Sequence, residues 1–281
     1  MIKCIELGKS FETKEELFAE LKANKENIIA LKTAAVKQSD GIRAIAYRED
    51  SALKVDTIKL EDGFIYPVIN TTKILDSHRD MHDDGIWTKT ISEQKGRIHY
   101  TTNHELKIGS IIAYPADVSV SVKELNWSSL GKGYEGTTEA LIFKVRINDY
   151  ANQDAIRAID KKLPVQNSVS MIYKKLELAI NSEDKEYKDE KAVFDKYYEK
   201  IANKDEWPEL DYFWVVKEAA IAREGSMVPL GSNQATPILY PNKNEPQGST
   251  RTKEGEADIN SLSPDNMAFI KAMNELLTIK N

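Results

Sequence analysis

Alternation of apolar and polar residues with a period of two is the feature that most constrains how this chain can fold. The alternation is clear in residues 42–47, 118–122 and 140–145. Because successive side chains of a strand point to opposite faces, each stretch predicts a strand. Glycine, asparagine and aspartate separate these stretches, as in sheets of short strands joined by turns. We therefore predict an α+β fold whose main part is an antiparallel or mixed β-barrel with surrounding helices.

Helical patterns precede and interrupt the predicted strands. Thr13 followed by Glu16 has the form of a capping box, in which a hydroxyl and a carboxylate satisfy free backbone donors at a helix start. Residues 28–36 are small and apolar, and they fit either a strand or a helix. A short amphipathic helix is predicted at residues 152–162. Residues 184–203 combine many charges with one apolar stripe, which predicts a solvated insertion helix that caps the barrel.

These patterns divide the chain into three parts. A helical segment covers residues 1–40, and the β-rich domain covers residues 41–241, with a charged helical insertion at residues 183–209. Residues 242–281 begin with a polar stretch that cannot bury enough surface to offset its chain entropy. We predict a flexible C-terminal tail there. It ends in a short amphipathic helix at residues 263–277, which we expect to dock on a partner or on the domain itself.

Charge and cysteine content exclude several classes of function. The 45 acidic and 39 basic residues give a formal net charge of -6 that is spread along the chain. Because phosphate binding needs a basic face, we expect no direct nucleic-acid partner. Cys4 is the only cysteine, so no internal disulfide can form. No apolar run reaches the roughly 20 residues of a membrane helix, and residues 1–10 lack the apolar stretch of a signal peptide. We expect a soluble cytoplasmic protein with no membrane partner.

Three side chains could together form a hydrolytic site. Ser168 enters a predicted buried strand, where it is either a serine hydrogen-bonded to backbone or a nucleophile. A serine nucleophile needs a neighbouring base because its hydroxyl is barely ionised at neutral pH, and histidine has a suitable pKa. His104 follows a predicted strand, where an ordinary polar turn residue would also fit. Glu224 precedes apolar residues, and a buried acid there would need a partner such as an imidazole that it orients.

These residues lie in three short motifs that follow one another between residues 42 and 237. An upstream Asp-x-x-x-Asp-x-x-x-x-Gly segment precedes them, and a charged insertion separates the second motif from the third. In order and spacing, the motifs resemble those of the prohead (head maturation) serine proteases of tailed phages, which are relatives of the herpesvirus assemblins. The residues that carry the resemblance are Asp76, Asp80 and Gly85; Asn103, His104 and Glu105 with Ile108 and Gly109; Ser168, Val169, Ser170 and Met171; and Glu224, Ser226 and Val228 with Asn233 and Ala235.

The resemblance implies a serine endopeptidase with an assemblin-like barrel. It implies that Ser168 is the nucleophile, that His104 is the general base and that Glu224 orients the imidazole. The substrates would be scaffold and major capsid protein precursors, cleaved inside the assembling procapsid in the bacterial host cytoplasm, often followed by self-cleavage. The portal is a further candidate partner, a homo-oligomer is compatible with the resemblance, and no cofactor is expected.

Two positions depart from the family pattern. The glycine usually found two residues after the nucleophile is Ser170 here, which makes Ser170 a rival nucleophile. The register of Met171 and Tyr173 along the predicted strand favours Ser168 over Ser170 as the nucleophile. Assemblins have a second histidine where this chain has Glu224. The first departure leaves open an alternative function, that of a catalytically inactive relative serving as a structural component of capsid or scaffold.

A second histidine cluster suggests a different chemistry. His78 and His82 are four residues apart and lie among carboxylates, so on a helix both could bind a metal ion. This pattern supports a metal-dependent hydrolase as a further alternative. However, the acid-rich stretch before Gly85 is typical of a loop. We therefore expect a loop that faces solvent or substrate.

Overall fold

The computed structural model of the protein describes residues 1–38 and 59–241. Helices and strands alternate irregularly along these residues, and short 3-10 turns connect several of them. The α-helices are α1 (Lys14–Ala23), α2 (Lys25–Ala34), α3 (Thr88–Glu93), α4 (Gln153–Asp160) and α5 (Lys188–Tyr197). The strands are β1 (Ile2–Cys4), β2 (Lys9–Phe11), β3 (Phe64–Thr71), β4 (Asp80–His82), β5 (His99–Thr102), β6 (Ile111–Ala113), β7 (Val118–Asn126), β8 (Thr137–Arg146), β9 (Gln166–Ile180), β10 (Tyr212–Val228) and β11 (Ile238–Leu239).

In the part of the chain that the structure describes, the β-structure consists of two larger sheets and one small hairpin. In the first sheet, the long strand β10 pairs antiparallel with β9 along one edge and parallel with both β4 and β5 along the other; β6 follows β5. The second sheet has the order β11-β3-β8-β7 and is antiparallel throughout. The hairpin consists of β1 and β2. Strand β10 therefore pairs with strands from distant parts of the chain.

The α+β class predicted from the sequence is confirmed, since helices and mixed sheets occur together. Among the described residues, the strand pairs do not close into a barrel. One seam does join the two sheets. The segment that leads into β11 accepts hydrogen bonds from both sheets. The Val68 N–H donates to the Pro237 carbonyl at 2.9 Å, and the Asn167 N–H donates to the Thr236 carbonyl at 3.1 Å. This seam holds the start of β9 against β3.

Local sequence patterns explain several elements directly. The Thr13 hydroxyl accepts a hydrogen bond from the Glu16 N–H at 3.2 Å and caps α1, as the capping box predicts. Residues 28–36, for which the sequence allowed either type, lie largely in helix α2. The alternating residues 118–122 and 140–145 form β7 and β8 as predicted. The helix predicted at residues 152–162 is α4, capped by Asn152.

The charged insertion folds against the first sheet. Helix α5 lies in residues 183–209, and Phe194, Tyr197 and Ile201 are buried together with Phe213 and Val215 of β10. Charged side chains cover much of the remaining helix surface, in agreement with the predicted solvated helix. The apolar stripe explains why the insertion is ordered, because it buries aromatic area against the sheet.

Several predictions concern residues that the structure does not describe. The strand predicted at residues 42–47 and the flexible C-terminal tail, with its amphipathic helix at residues 263–277, lie outside the described residues. Within residues 1–38 and 59–241, no helix is long and apolar enough to cross a bilayer.

Candidate active site

His104 lies in a tight turn directly after β5. Both Asn103 and His104 have positive φ angles, of 52° and 57°, a conformation that costs a histidine roughly 1 kcal/mol or more. The turn is held by two hydrogen bonds to β10. The Asn103 N–H donates to the Met227 carbonyl at 3.0 Å, and the His104 N–H donates to Ser226 Oγ at 2.9 Å. Strand β10 thus fixes the backbone that carries the imidazole.

Glu224 lies on β10 beside the imidazole. Its Oε1 is 2.9 Å from His104 Nδ1, and the two side chains are only 2% and 5% exposed. The other oxygen, Oε2, accepts a hydrogen bond from Thr101 Oγ1 at 3.2 Å. A carboxylate accepts but does not donate, so Nδ1 carries the proton in this pair. The sequence prediction that Glu224 needs an imidazole partner thus agrees with the geometry.

A wide bulge in β10 turns Glu224 towards the site. Between the pairs Ile221–Met171 and Gly225–Val169, three residues of β10 lie opposite the single residue Ser170. Arg223, in the middle of the bulge, has a φ of 72°. A bulge of this kind disrupts the ladder locally and redirects side chains, and such bulges are common next to active sites.

Gly225 allows the sheets to approach each other behind the bulge. A Cβ atom at this position would lie 2.7 Å from Phe143 Cε2 and 3.0 Å from Ile69 Cγ2, both on the second sheet. Any larger residue would therefore push β10 away from β3 and β8. The glycine next to Glu224 is explained by this close packing.

Ser170 is the serine that contacts the imidazole and the carboxylate. Its Oγ donates a short hydrogen bond to Glu224 Oε1 and lies 3.1 Å from His104 Nδ1. It also accepts a hydrogen bond from Gln38 Nε2 at 3.0 Å. The residue is 2% exposed. The rival serine of the sequence analysis is therefore fully engaged by protein groups on the acid side of the imidazole.

Ser168 lies two residues earlier on the same face of β9. Its cross-strand partner is Ser226, whose hydroxyl accepts the His104 N–H. Among the residues that the structure describes, Ser168 Oγ makes no hydrogen bond, and the residue is 8% exposed. The structure thus brings Ser170, His104 and Glu224 into direct contact and places Ser168 next to them without a hydrogen bond to the imidazole.

Three further residues contribute to the site, and the sequence predicted a role for none of them. Thr101 and Ser226 bond to each other and to the His104–Glu224 pair, and Gln38 reaches Ser170 from the N-terminal segment. Ser226 belongs to the third motif, so its presence there was a usable signal. Thr101 and Gln38 carry no local signal, because their roles depend on pairing between distant strands.

The acid-rich segment before Gly85 contains the buried strand β4 (Asp80–His82), which corrects the expected loop facing solvent or substrate. Asp76, Asp80 and His82 are 4%, 1% and 2% exposed. The charge of Asp80 is balanced by a buried ion pair with Lys32 of α2. This partner lies 48 residues away in the sequence, so local composition does not reveal it.

Both ring nitrogens of His82 face protein groups. Nδ1 is 3.0 Å from Asn70 Nδ2, and Nε2 is 3.4 Å from Tyr173 Oη. Burial lowers the pKa of His82 to about 4, which keeps the ring neutral. His78 precedes β4, and within the described residues no group of three or more histidine, cysteine, aspartate or glutamate side chains is arranged to hold a metal ion. The geometry therefore offers the metal-dependent alternative no site in this part of the chain.

Burial has the opposite effect on the neighbouring carboxyl group. Burial, followed by the negative charge of Asp80, raises the pKa of Asp76 to about 7. One oxygen of Asp76 accepts the N–H groups of His78 and Asp80, at 2.9 Å and 3.0 Å. Asp76 therefore shapes the turn before β4.

No protein-family model, no curated protein and no solved structure matches this chain.

Proposed function

We propose that this protein is a serine endopeptidase in which His104 is the general base and Glu224 orients its imidazole. The observation that carries the proposal is the buried 2.9 Å hydrogen bond between His104 Nδ1 and Glu224 Oε1, next to two serines of one strand. In a Ser-His-acid triad, the acid binds Nδ1 and thereby keeps Nε2 unprotonated to act as the base. Glu224 binds Nδ1 of His104 in this way.

The nucleophile in this proposal is Ser168. A nucleophilic hydroxyl must present a lone pair to the substrate carbonyl and its proton to Nε2. Ser170 meets neither requirement, because it donates to Glu224, accepts from Gln38 and lies on the Nδ1 side. Ser168 has its oxygen uncommitted among the described residues and is more exposed than Ser170. Catalytic hydrogen bonds are often long before substrate binds and shorten in the complex.

The reaction follows from these roles. His104 Nε2 takes the proton of Ser168 as Oγ attacks the peptide carbonyl, and the resulting imidazolium stays paired with Glu224. The imidazolium then gives this proton to the leaving amine, which produces an acyl-enzyme. A water molecule, deprotonated by the same nitrogen, releases the acid product and restores the serine.

The proposed substrates are scaffold and major capsid protein precursors of a tailed phage, cleaved within the procapsid in the bacterial host cytoplasm. This part of the proposal, the assemblin-type fold and a portal contact rest on the motif resemblance. The buried His104–Glu224 pair supports the catalytic part independently.

Co-expression with the cognate capsid precursor tests the proposal. The wild-type protein should process the precursor, and a fluorophosphonate should label Ser168 in the purified protein, as located by mass spectrometry of peptides. Ser168→Ala should abolish both while leaving a folded protein. Ser119→Ala, at an exposed strand position of β7, is the matched control and should behave as wild type.

Each contrary outcome points to a particular alternative. Labelling of Ser170, with activity retained in Ser168→Ala and lost in Ser170→Ala, would make Ser170 the nucleophile. Inhibition by a chelator would favour the metal-dependent hydrolase. A wild-type protein that neither cleaves the precursor nor reacts with the probe would favour the catalytically inactive relative.

A further inference from the structure

The N-terminal segment reaches the candidate site by pairing with the free edge of β9. The Lys37 N–H donates to the Met171 carbonyl at 2.7 Å, and the Met171 N–H donates to the Lys37 carbonyl at 3.0 Å. Met171 thus uses both backbone groups on Lys37, so this bridge lies on the edge of β9 that faces away from β10. The next residue, Gln38, is thereby placed beside Ser170.

A buried ion pair fixes the helix from which this segment emerges. The ammonium group of Lys32, on α2, binds Asp80 Oδ1 and lies 3.5 Å from Glu6 Oε1, and all three side chains are at most 7% exposed. The chain leaves α2 at Ala34 and reaches β9 three residues later. The position of Gln38 is therefore determined by contacts within the fold, although Gln38 itself is exposed.

Gln38 sets the direction of a chain of hydrogen bonds. Its amide Nε2 donates to Ser170 Oγ at 3.0 Å, so the single Ser170 proton is left to point at Glu224 Oε1. Glu224 then accepts from Ser170, from Thr101 and from His104 Nδ1. Because a carboxylate only accepts hydrogen bonds, this arrangement holds the imidazole in the tautomer with a proton on Nδ1.

We infer that Gln38 is a positioning residue of the proposed protease, acting through Ser170 and Glu224 on the tautomer of His104. The N-terminal segment is then a part of the active site. This inference rests on the proposed function, because it concerns the reactivity of Ser168.

The test uses the full-length protein and the rate at which a fluorophosphonate labels Ser168. Gln38→Ala should be labelled roughly tenfold more slowly than wild type, because it lacks one hydrogen bond of this kind. Asn27→Ala, which removes an exposed amide from α2 in the same segment, is the matched control and should label at the wild-type rate. The thermal midpoint of every variant shows that it is folded.

A double-mutant cycle separates positioning from a general loss of structure. If Gln38 acts through Ser170, then Gln38→Ala should have no further effect in a Ser170→Ala background. An equal loss in both backgrounds, or wild-type labelling of Gln38→Ala, would overturn the inference.

The variant Gln38→Glu gives a labelling rate whose pH dependence would not change if Gln38 had only a structural role. An ionised glutamate can only accept, so it would draw the Ser170 proton away from Glu224 and slow labelling more than alanine does. Once protonated at acid pH, it can donate as glutamine does, so its rate relative to wild type should recover as the pH falls. A ratio that does not change with pH contradicts the inference. If wild type itself is not labelled at Ser168, the proposed function fails first, and the inference falls with it.

Discussion

Glu224 Oε1 lies 2.9 Å from His104 Nδ1 in a pair whose side chains are 2% and 5% exposed. The two residues come from neighbouring parallel strands, since His104 follows β5 and Glu224 is on β10. Low exposure limits competition from water, so the carboxylate holds the imidazole in one orientation. This relationship gives the most direct test of the proposed mechanism.

Replacing Glu224 by glutamine should slow fluorophosphonate labelling of Ser168 by about 10⁴-fold. The amide can donate to Nδ1, which would move the imidazole proton to Nε2 and remove the base. Glu105→Gln is the matched control, because the Glu105 carboxylate binds Ser110 Oγ at 3.0 Å and Lys107 instead of the imidazole. Wild-type labelling of Glu224→Gln would show that the carboxylate has no such role.

Gly225→Ala should lower the free energy of unfolding by about 1–3 kcal/mol, the usual range for overpacking a core. The added methyl group would meet the ring of Phe143 at 2.7 Å. Urea unfolding measures the change, and Gly133→Ala is the control, because a Cβ there has no atom within 4 Å. Phe143→Leu, which makes room, should restore part of the stability lost in Gly225→Ala. Additive losses in the double variant would contradict the steric explanation.

Much of the secondary structure could be predicted from the sequence, because it depends on local patterns. The capping box at Thr13 and the alternation in β7 and β8 each predict an element that the structure contains. The motifs around His104 and Glu224 likewise selected two residues that hydrogen-bond to each other across parallel strands.

The contacts around Ser170 could not be predicted in this way. They require a bulge in which three residues of β10 face one residue of β9, and alternation along either strand does not indicate such an offset. The buried strand at His82 was missed for a related reason. Its acidic neighbours indicate a loop unless a counterion is known, and Lys32 supplies that counterion from a helix near the N-terminus.

Lys32→Met should destabilise the protein by about 3–5 kcal/mol, because it leaves the Asp80 carboxylate buried without its counterion. Lys32 and Asp80 are 7% and 0% exposed at the side chain. Lys9→Met is the control, since Lys9 is 65% exposed and its carboxylate partner, Glu20, lies 4.0 Å away; its effect should stay within about 1 kcal/mol. Urea unfolding at constant pH compares them. If the two variants lose similar stability, the buried pair does not anchor α2.

The dependence of stability on pH should reveal two buried groups with opposite effects. The pKa of Asp76 is raised from 3.8 to about 7, chiefly by burial. Its contribution to stability is therefore present below pH 3.8 and is lost as the pH rises through about 7. The pKa of His82 is lowered from 6.5 to about 4, again chiefly by burial. Its contribution is present above pH 6.5 and is lost as the pH falls through about 4.

Because the two contributions oppose each other over most of this range, Asp76→Asn should expose the effect of His82. The asparagine Oδ1 can still accept the N–H groups of His78 and Asp80, so the turn before β4 should be kept. The free energy of unfolding of the variant should fall by up to about 3 kcal/mol between pH 6.5 and pH 4, whereas that of wild type should change less. Urea unfolding across this pH range measures the stability of the variant and of wild type. Asp154→Asn is the control, because the Asp154 side chain is 87% exposed. In this explanation, the proton that the buried Asp76 carboxyl group binds on folding offsets the stability lost at His82. If the free energy of unfolding depends on pH in the same way in Asp76→Asn and in wild type, Asp76 does not bind this proton.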